Sequence, residues 1–379
     1  MRIDFGRAIR EPRGFSLDEL AETLASSDEG LWREVFAAAR EVKARRGKTE
    51  ILPRGLIETS NICAKDCLYC GIRKGNAKVP RYLIPEEEVS QCIDEARRRG
   101  YPAVAFQAGE IESEANTAYY ERILAMCRGM RRQECRRPEL GGGSAQGCSS
   151  ALEVTLSLGE QTEEVYRRWK DAGAMRYLIR IETSNRELYE KIHPAECSFD
   201  RRLGCIRTLK KLGYVTGSGV MIGIPGQTIR DLANDIVFFG DERLDMVGMG
   251  PYVPNGDTPL GTQVEVEGGG GQWKDKVPLS TSTSNLDLSL RMIALTRLYL
   301  HDVNIVAATA LEALDPEGGR NRGIEAGANV VMPVLTPEKY RSCYDLYPGK
   351  TVVVGSPSRT GDANLHCTTA TNNYDFSSD

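Results

Sequence analysis

"RGLIETSNICAKDCLYCGI", residues 54–72, joins a short apolar run to a loop that holds three cysteines. Cys63, Cys67 and Cys70 stand at C-x3-C-x2-C spacing, with no fourth cysteine close by. Structural zinc sites close with four ligands, and iron–sulfur clusters are mostly held by four cysteines. Three ligands on one loop leave one metal position open for something else. The run before the loop reads as a strand. No G-x-G-x-x-G or G-x4-G-K-[ST] phosphate loop follows it; the cysteines do.

Outward from this stretch the chain falls into a rhythm. Apolar runs at 54–60, 103–109, 152–159, 176–183, 216–224, 245–253, 304–311 and 328–335 read as strands. Between them lie amphipathic stretches such as "EEEVSQCIDEARRRG", "EEVYRRWKDAG" and "FDRRLGCIRTLKKLG", each stopping at Gly. Strand–helix alternation argues for a parallel sheet with crossover helices, and eight repeats for a closed (β/α)8 TIM barrel. Chemistry in such a barrel sits at the C-terminal ends of the strands. The cysteine loop begins there.

Residues 1–50 read as an N-terminal helical lead-in and 51–350 as the barrel. "SLDELAETLAS" opens on Ser16 with Glu19 three residues on, a capping box. "LWREVFAAAREVKARRG" follows, with Gly47 as its stop. Two Gly- and Ser-rich stretches, 131–150 and 262–284, read as surface insertions, and 351–379 as a disordered tail.

With 41% hydrophobic residues among 379, the chain can bury a full core. A net charge of −4 gives no nucleic-acid footprint, and no apolar run approaches the roughly 20 residues that span a bilayer. The start, "MRIDFGRAIREPRGFS", lacks a leader's apolar core. The expectation is a reducing setting, either the cytoplasm or the interior of an anaerobic organelle. Eleven cysteines in that setting point to a metal site before a disulfide frame. Three scattered histidines, His193, His301 and His366, make no imidazole centre. Three thiolates so spaced can hold three corners of a cubic iron–sulfur cluster; a zinc site is the competing reading.

The loop resembles that of the radical S-adenosylmethionine (SAM) enzymes, down to an aromatic, Tyr69, before the last cysteine. The stretches "IETSNICAKDCLYCGIRKGNAKVPRYLIPEEE", "VTLSLGE", "RYLIRIETSN", "LKKLGYVTGSGVMIGIPGQTIRDL", "DMVGMGPYVPNGDTPL" and "GIEAGANVVMPVLTPEKYRSCYDLYPGK" are similar to the HydE family of [FeFe]-hydrogenase maturases. The resemblance implies one [4Fe-4S] cluster on Cys63, Cys67 and Cys70, with SAM chelating the open iron and cleaved to a 5′-deoxyadenosyl radical. It also implies SAM contacts. Gln107, Gly109 and Glu110 match the element that receives the amino group. Glu182 takes the ribose hydroxyls, and Arg180 shares its face. Arg202 takes the SAM carboxylate, and Met246 packs near the adenine. Thr155, Thr309, Met332, Tyr344 and Tyr347 would line the substrate cavity, with Tyr344, Thr309 and Met332 nearest the chemistry. Ile181 departs from the His often found between that Arg and Glu, and strand alternation turns it away from the lumen. Cys92, Cys127, Cys197 and Cys205 fall in helical patterns and read as core. Only Cys367 follows Cys343, so no second cluster is expected.

The function implied is assembly of the hydrogenase H-cluster from an iron–cysteine complex carrying CO and cyanide. Partners would be HydG, which makes that complex, HydF, the scaffold, and a reductant such as ferredoxin or flavodoxin. An organic substrate, as in methylornithine or biotin synthase, is the alternative; a cluster carrier without turnover is a third. Strands five to eight offer almost no charge, which favours a neutral metal complex over a zwitterionic amino acid.

Overall fold

The computed structural model describes residues 4–129, 152–268 and 283–350. Three helices come first: α1 (Phe5–Arg10), α2 (Leu17–Ala25) and α3 (Glu29–Arg45). The Ser16–Glu19 capping box forms in both directions and starts α2. Asp28 accepts from the amides of Gly30 and Leu31 to start α3, so two orphan donors at that end are satisfied. Helix α1 lies within the expected helical lead-in, ahead of the two stretches quoted for it.

The alternation then runs β1 (Leu52–Ser60), α4 (Glu86–Arg98), β2 (Ala103–Ala108), α5 (Glu114–Gly129), β3 (Glu153–Ser157), α6 (Glu163–Ala172) and β4 (Arg176–Leu178). It continues with α7 (Arg186–Ile192), α8 (Phe199–Lys211), β5 (Val215–Ile222), α9 (Ile229–Asp241), β6 (Met246–Pro251), α10 (Pro259–Gly268) and α11 (Asn285–Leu300). It ends with β7 (Asn304–Ala307), α12 (Thr309–Leu314), α13 (Gly319–Ala326), β8 (Val330–Val331) and α14 (Glu338–Arg341).

All eight strands pair in parallel and in sequence order, and β1 meets β8 to close the barrel. The seam is short: Leu52 faces Val330 and Pro53 faces Val331. Beyond it Leu56 exchanges backbone bonds with Pro333 and Leu335 at 2.8 and 2.7 Å. The barrel is thus finished by chain that is no longer regular strand.

Each expected strand is present, but several are shorter than their apolar runs. Strand β4 stops at Leu178, so Arg180 and Glu182 lie beyond it. Strand β7 stops at Ala307, and Thr309 opens α12. Met332 lies just past β8. The stretch 262–284 is not wholly an insertion, because α10 runs to Gly268. The expectations for 131–150, for 269–282 and for the tail 351–379 lie outside the described residues.

The outer helices bury the larger apolar side chains. Trp169, Tyr120, Tyr177 and Phe106 are fully enclosed between helices and sheet. The lead-in helices pack on α9, α11 and α13 and contribute no residue to the cavity described below. No described helix is long and apolar enough to cross a membrane.

Candidate active site

Register shifts in β1 between Glu58 and Ser60. A bulge of this kind re-aims the chain, and Cys63 stands three residues past the end of the strand. The loop is held in place by its backbone. Ala64 donates to the Glu110 carbonyl at 2.8 Å, Cys70 to the Cys67 carbonyl at 3.2 Å, and Gly71 to the Leu346 carbonyl at 3.1 Å. Asn61 Nδ2 donates to the Cys343 carbonyl at 2.6 Å. Two glycines are required by contact. A Cβ on Gly109 would sit 2.2 Å from the Ile62 carbonyl oxygen, and one on Gly71 would sit 1.9 Å from that of Asp345.

Cys63, Cys67 and Cys70 line one cavity of about 320 Å³ at the C-terminal ends of the strands. Two amides, Glu110 N and Lys65 N, point at Cys63 Sγ from 3.3 and 3.4 Å. Burial pushes the Cys63 thiol up and the Cys70 thiol up to about 12. The neighbouring Cys197 thiol and burial push the Cys67 thiol up. Cys197 is buried, as expected of a core residue, but it lies in the turn before α8 and not in a helix. Tyr69 lines the same cavity, and its hydroxyl lies 3.1 Å from His193 Nε2. Burial pushes that imidazole down to about 4, so it is neutral.

Around the loop lies a buried network of charge. Arg202 Nε donates to Glu160 at 2.7 Å, Nη1 to the Arg180 carbonyl at 2.9 Å and Nη2 to Glu110 at 3.3 Å. Arg202 is 7% exposed, so it does not lie on a solvated helix face. Its fork meets carboxylates of the chain as well as the cavity. Lys65 Nζ lies 3.2 Å from Glu110 and 3.7 Å from Glu160. Burial raises the Glu110 carboxyl, and Arg202 and Lys65 pull it back. Glu110 Oε1 and Glu160 Oε2 still lack a directed hydrogen bond.

Arg180 and Glu182 form a two-pronged pair, with both N–O distances 2.8 Å. They share a face, but not by strand alternation: Glu182 has φ +62°, in the left-handed region. Ile181 between them is fully buried in the core, as expected. Behind the pair, Ser184 donates from its amide and hydroxyl to Asp235 at 2.7 and 2.6 Å.

Gln107, Gly109, Glu110, Arg180, Glu182, Arg202, Thr309, Met332, Tyr344 and Tyr347 all line the cavity with the cysteines. Two expected residues do not. Met246 lies lower in the barrel, where its sulfur accepts from Arg54 Nη1 at 2.9 Å, so it is not brought to the adenine region. Thr155 is buried outside the lining. The cavity also holds residues that were not anticipated: Glu58, Lys65 and Lys350. Lys65, inside the motif, was open to notice; Glu58 read as one more strand residue, and Lys350 as the edge of a tail.

These residues fit a cluster with an open iron and a bound SAM. Three soft thiols line one cavity, and two amides are aimed at one of them, Cys63, as amides are around iron–sulfur centres, although among the described residues no three ligating side chains already converge on one metal position. A buried carboxylate, Glu110, borders the same space with Lys65 and Arg202 beside it. Residues 57–239 match the radical SAM superfamily. The chain is 39% identical to the [FeFe] hydrogenase maturase subunit HydE of Thermotoga maritima over 352 residues, 92% of this chain and 89% of that one. The chain belongs to the HydE family of radical SAM enzymes. This HydE-family chain is also 25% identical to the 3-methylornithine synthase of Methanosarcina acetivorans, over 87% of its length and 83% of the relative's. In fold it matches the crystal structure of methylornithine synthase (PylB) with a TM-score of 0.68 at 22% identity, over 86% and 85% of the two chains. Membership of the HydE family brings reductive SAM cleavage, a [4Fe-4S] cluster and a role in hydrogenase maturation.

Proposed function

We propose that the chain holds one [4Fe-4S] cluster on Cys63, Cys67 and Cys70 and acts on an iron–cysteine complex bearing CO and cyanide. The carrying observation is that the three thiols, Glu110 with Arg202, and the Arg180–Glu182 pair line a single cavity. Cluster and SAM, when bound, supply a 5′-deoxyadenosyl radical through one-electron cleavage.

The chain's own residues bind and orient. Glu110 offers a buried carboxyl to an ammonium group, and Arg202 and Lys65 oppose the rise that burial imposes on it. Glu182 offers oxygens to ribose hydroxyls, and Arg180 fixes its rotamer. Leu56, Val306, Met332 and Tyr344 form the wall that keeps water from a reactive radical. The complex would come from a HydG-type enzyme and pass to a HydF-type scaffold, with a ferredoxin or flavodoxin as reductant.

One observation favours the second reading, an organic amino-acid substrate: the cavity contains the charged pair Glu58 and Lys350. The absence of charge on strands five to eight therefore does not decide the matter, because β1 and the C-terminal segment supply it. In vitro maturation separates the two. Synthetic iron–cysteine complex, SAM and reductant are supplied with this protein as the sole radical enzyme. Activation of apo-hydrogenase is expected; turnover on lysine or dethiobiotin without activation would overturn the proposal.

A further inference from the structure

Glu58 and Lys350 meet across the cavity wall with side chains 1% and 9% exposed. Taking two charges out of water costs several kcal/mol each, and a buried pair often stabilises no more than an apolar one. This pair also does not seal itself. Lysine has three donors. Lys350 Nζ donates to Glu58 Oε1, the face of the Tyr344 ring lies 4.7 Å from the nitrogen to the centroid, and the Asp345 carboxylate is close enough to feel its charge. Glu58 Oε2 receives one long bond, from Thr336 Oγ1 at 3.3 Å. Donor and acceptor capacity is left over on both partners, and both line the cavity.

We infer that Glu58 and Lys350 form a subsite for an α-amino-acid head group. The substrate's ammonium lies on Glu58 and its carboxylate on Lys350. Four charges then alternate in sign, the cavity stays neutral, and the unused hydrogen-bonding capacity is filled. The buried Tyr344 ring borders the lysine on another side. The inference rests on the proposal that this cavity receives the substrate, and it names which end of that substrate is recognised.

The test is calorimetry on the reconstituted holoenzyme with SAM and no reductant. The probes are S-methyl-L-cysteine, 2-(methylthio)ethylamine, which lacks the carboxylate, and 3-(methylthio)propionate, which lacks the ammonium. The amino acid is expected to bind at least about tenfold tighter than either truncated probe. Glu58→Gln should erase the preference over the propionate, and Lys350→Met the preference over the amine. Iron content and circular dichroism check that each variant folds. Should one fail to fold, the wild-type probe series decides alone. Three probes binding within twofold of one another, no binding at all, or variants that keep the preference would each overturn the subsite. Hydrogenase maturation failing while the probes discriminate would remove the metal-complex substrate and leave the subsite standing. Maturation succeeding without discrimination would remove only the subsite.

Discussion

At the scale of single residues, Glu182 combines a cavity-lining carboxylate with a costly backbone. Its left-handed φ disfavours any side chain with a Cβ by about 1 kcal/mol. Glu182→Ala should keep that strain and lose the carboxylate. SAM affinity should fall by about one to two decades, or roughly 1.5–3 kcal/mol, with iron content unchanged. Glu182→Gly should lose the same affinity but unfold about 1 kcal/mol later than the Ala variant. Titration calorimetry and denaturant unfolding check the two halves; cluster loss in either variant would make Glu182 structural. The cysteines could be read from spacing alone. Glu160, Cys197, Glu58 and Lys350 could not. Glu160 looked like a loop acid after β3, and its role appears only where Arg202 arrives from α8. Lys350 and Glu58 are 292 residues apart, and no local pattern couples them.

At the scale of elements, α9 anchors the turn that carries Glu182. Asp235, on α9 and fully buried, accepts both Ser184 donors, and burial pushes its carboxyl up to about 7. Where the folded state keeps a proton that the unfolded chain has released, each rise in pH favours unfolding. Its contribution is full below the unfolded value near 4 and is lost as pH rises through about 7. Asp235→Asn cannot titrate. Between pH 5 and pH 8 the wild type should lose on the order of 2 kcal/mol more stability than this variant. Urea unfolding at the two pH values reads the difference, and equal losses would refute it. Element lengths were the least legible feature. Runs 176–183 and 304–311 look like long strands, yet β4 and β7 end early. Cavity-lining side chains occupy the freed ends, and that is a tertiary choice that periodicity does not encode.

For the whole molecule, strand–helix alternation made the barrel legible, because period and punctuation are local properties. What closes the barrel was not. The segment after β8 pairs with Leu56 and brings Tyr344, Leu346, Tyr347 and Lys350 to the cavity. Chain ending after Lys350 keeps every described wall residue and should still cleave SAM at a rate within about twofold of the full chain. Chain ending after Ser342 loses the wall, and should lose coupling between SAM cleavage and substrate conversion. Product analysis on both truncations checks this; uncoupling in the longer one would show that residues beyond 350 belong to the site.

The stitching of the cysteine loop to that segment, through Gly71 and Leu346 and through Asn61 and Cys343, has a consequence for handling the protein. Metal content should be legible to a protease. When the loop has no iron to brace it, the stitches loosen and the segment opens more often. Trypsin should then cut after Arg341 and Lys350 at least about fivefold faster in iron-free protein than in the reconstituted form. The digest pattern of a preparation would report how much of it carries a cluster.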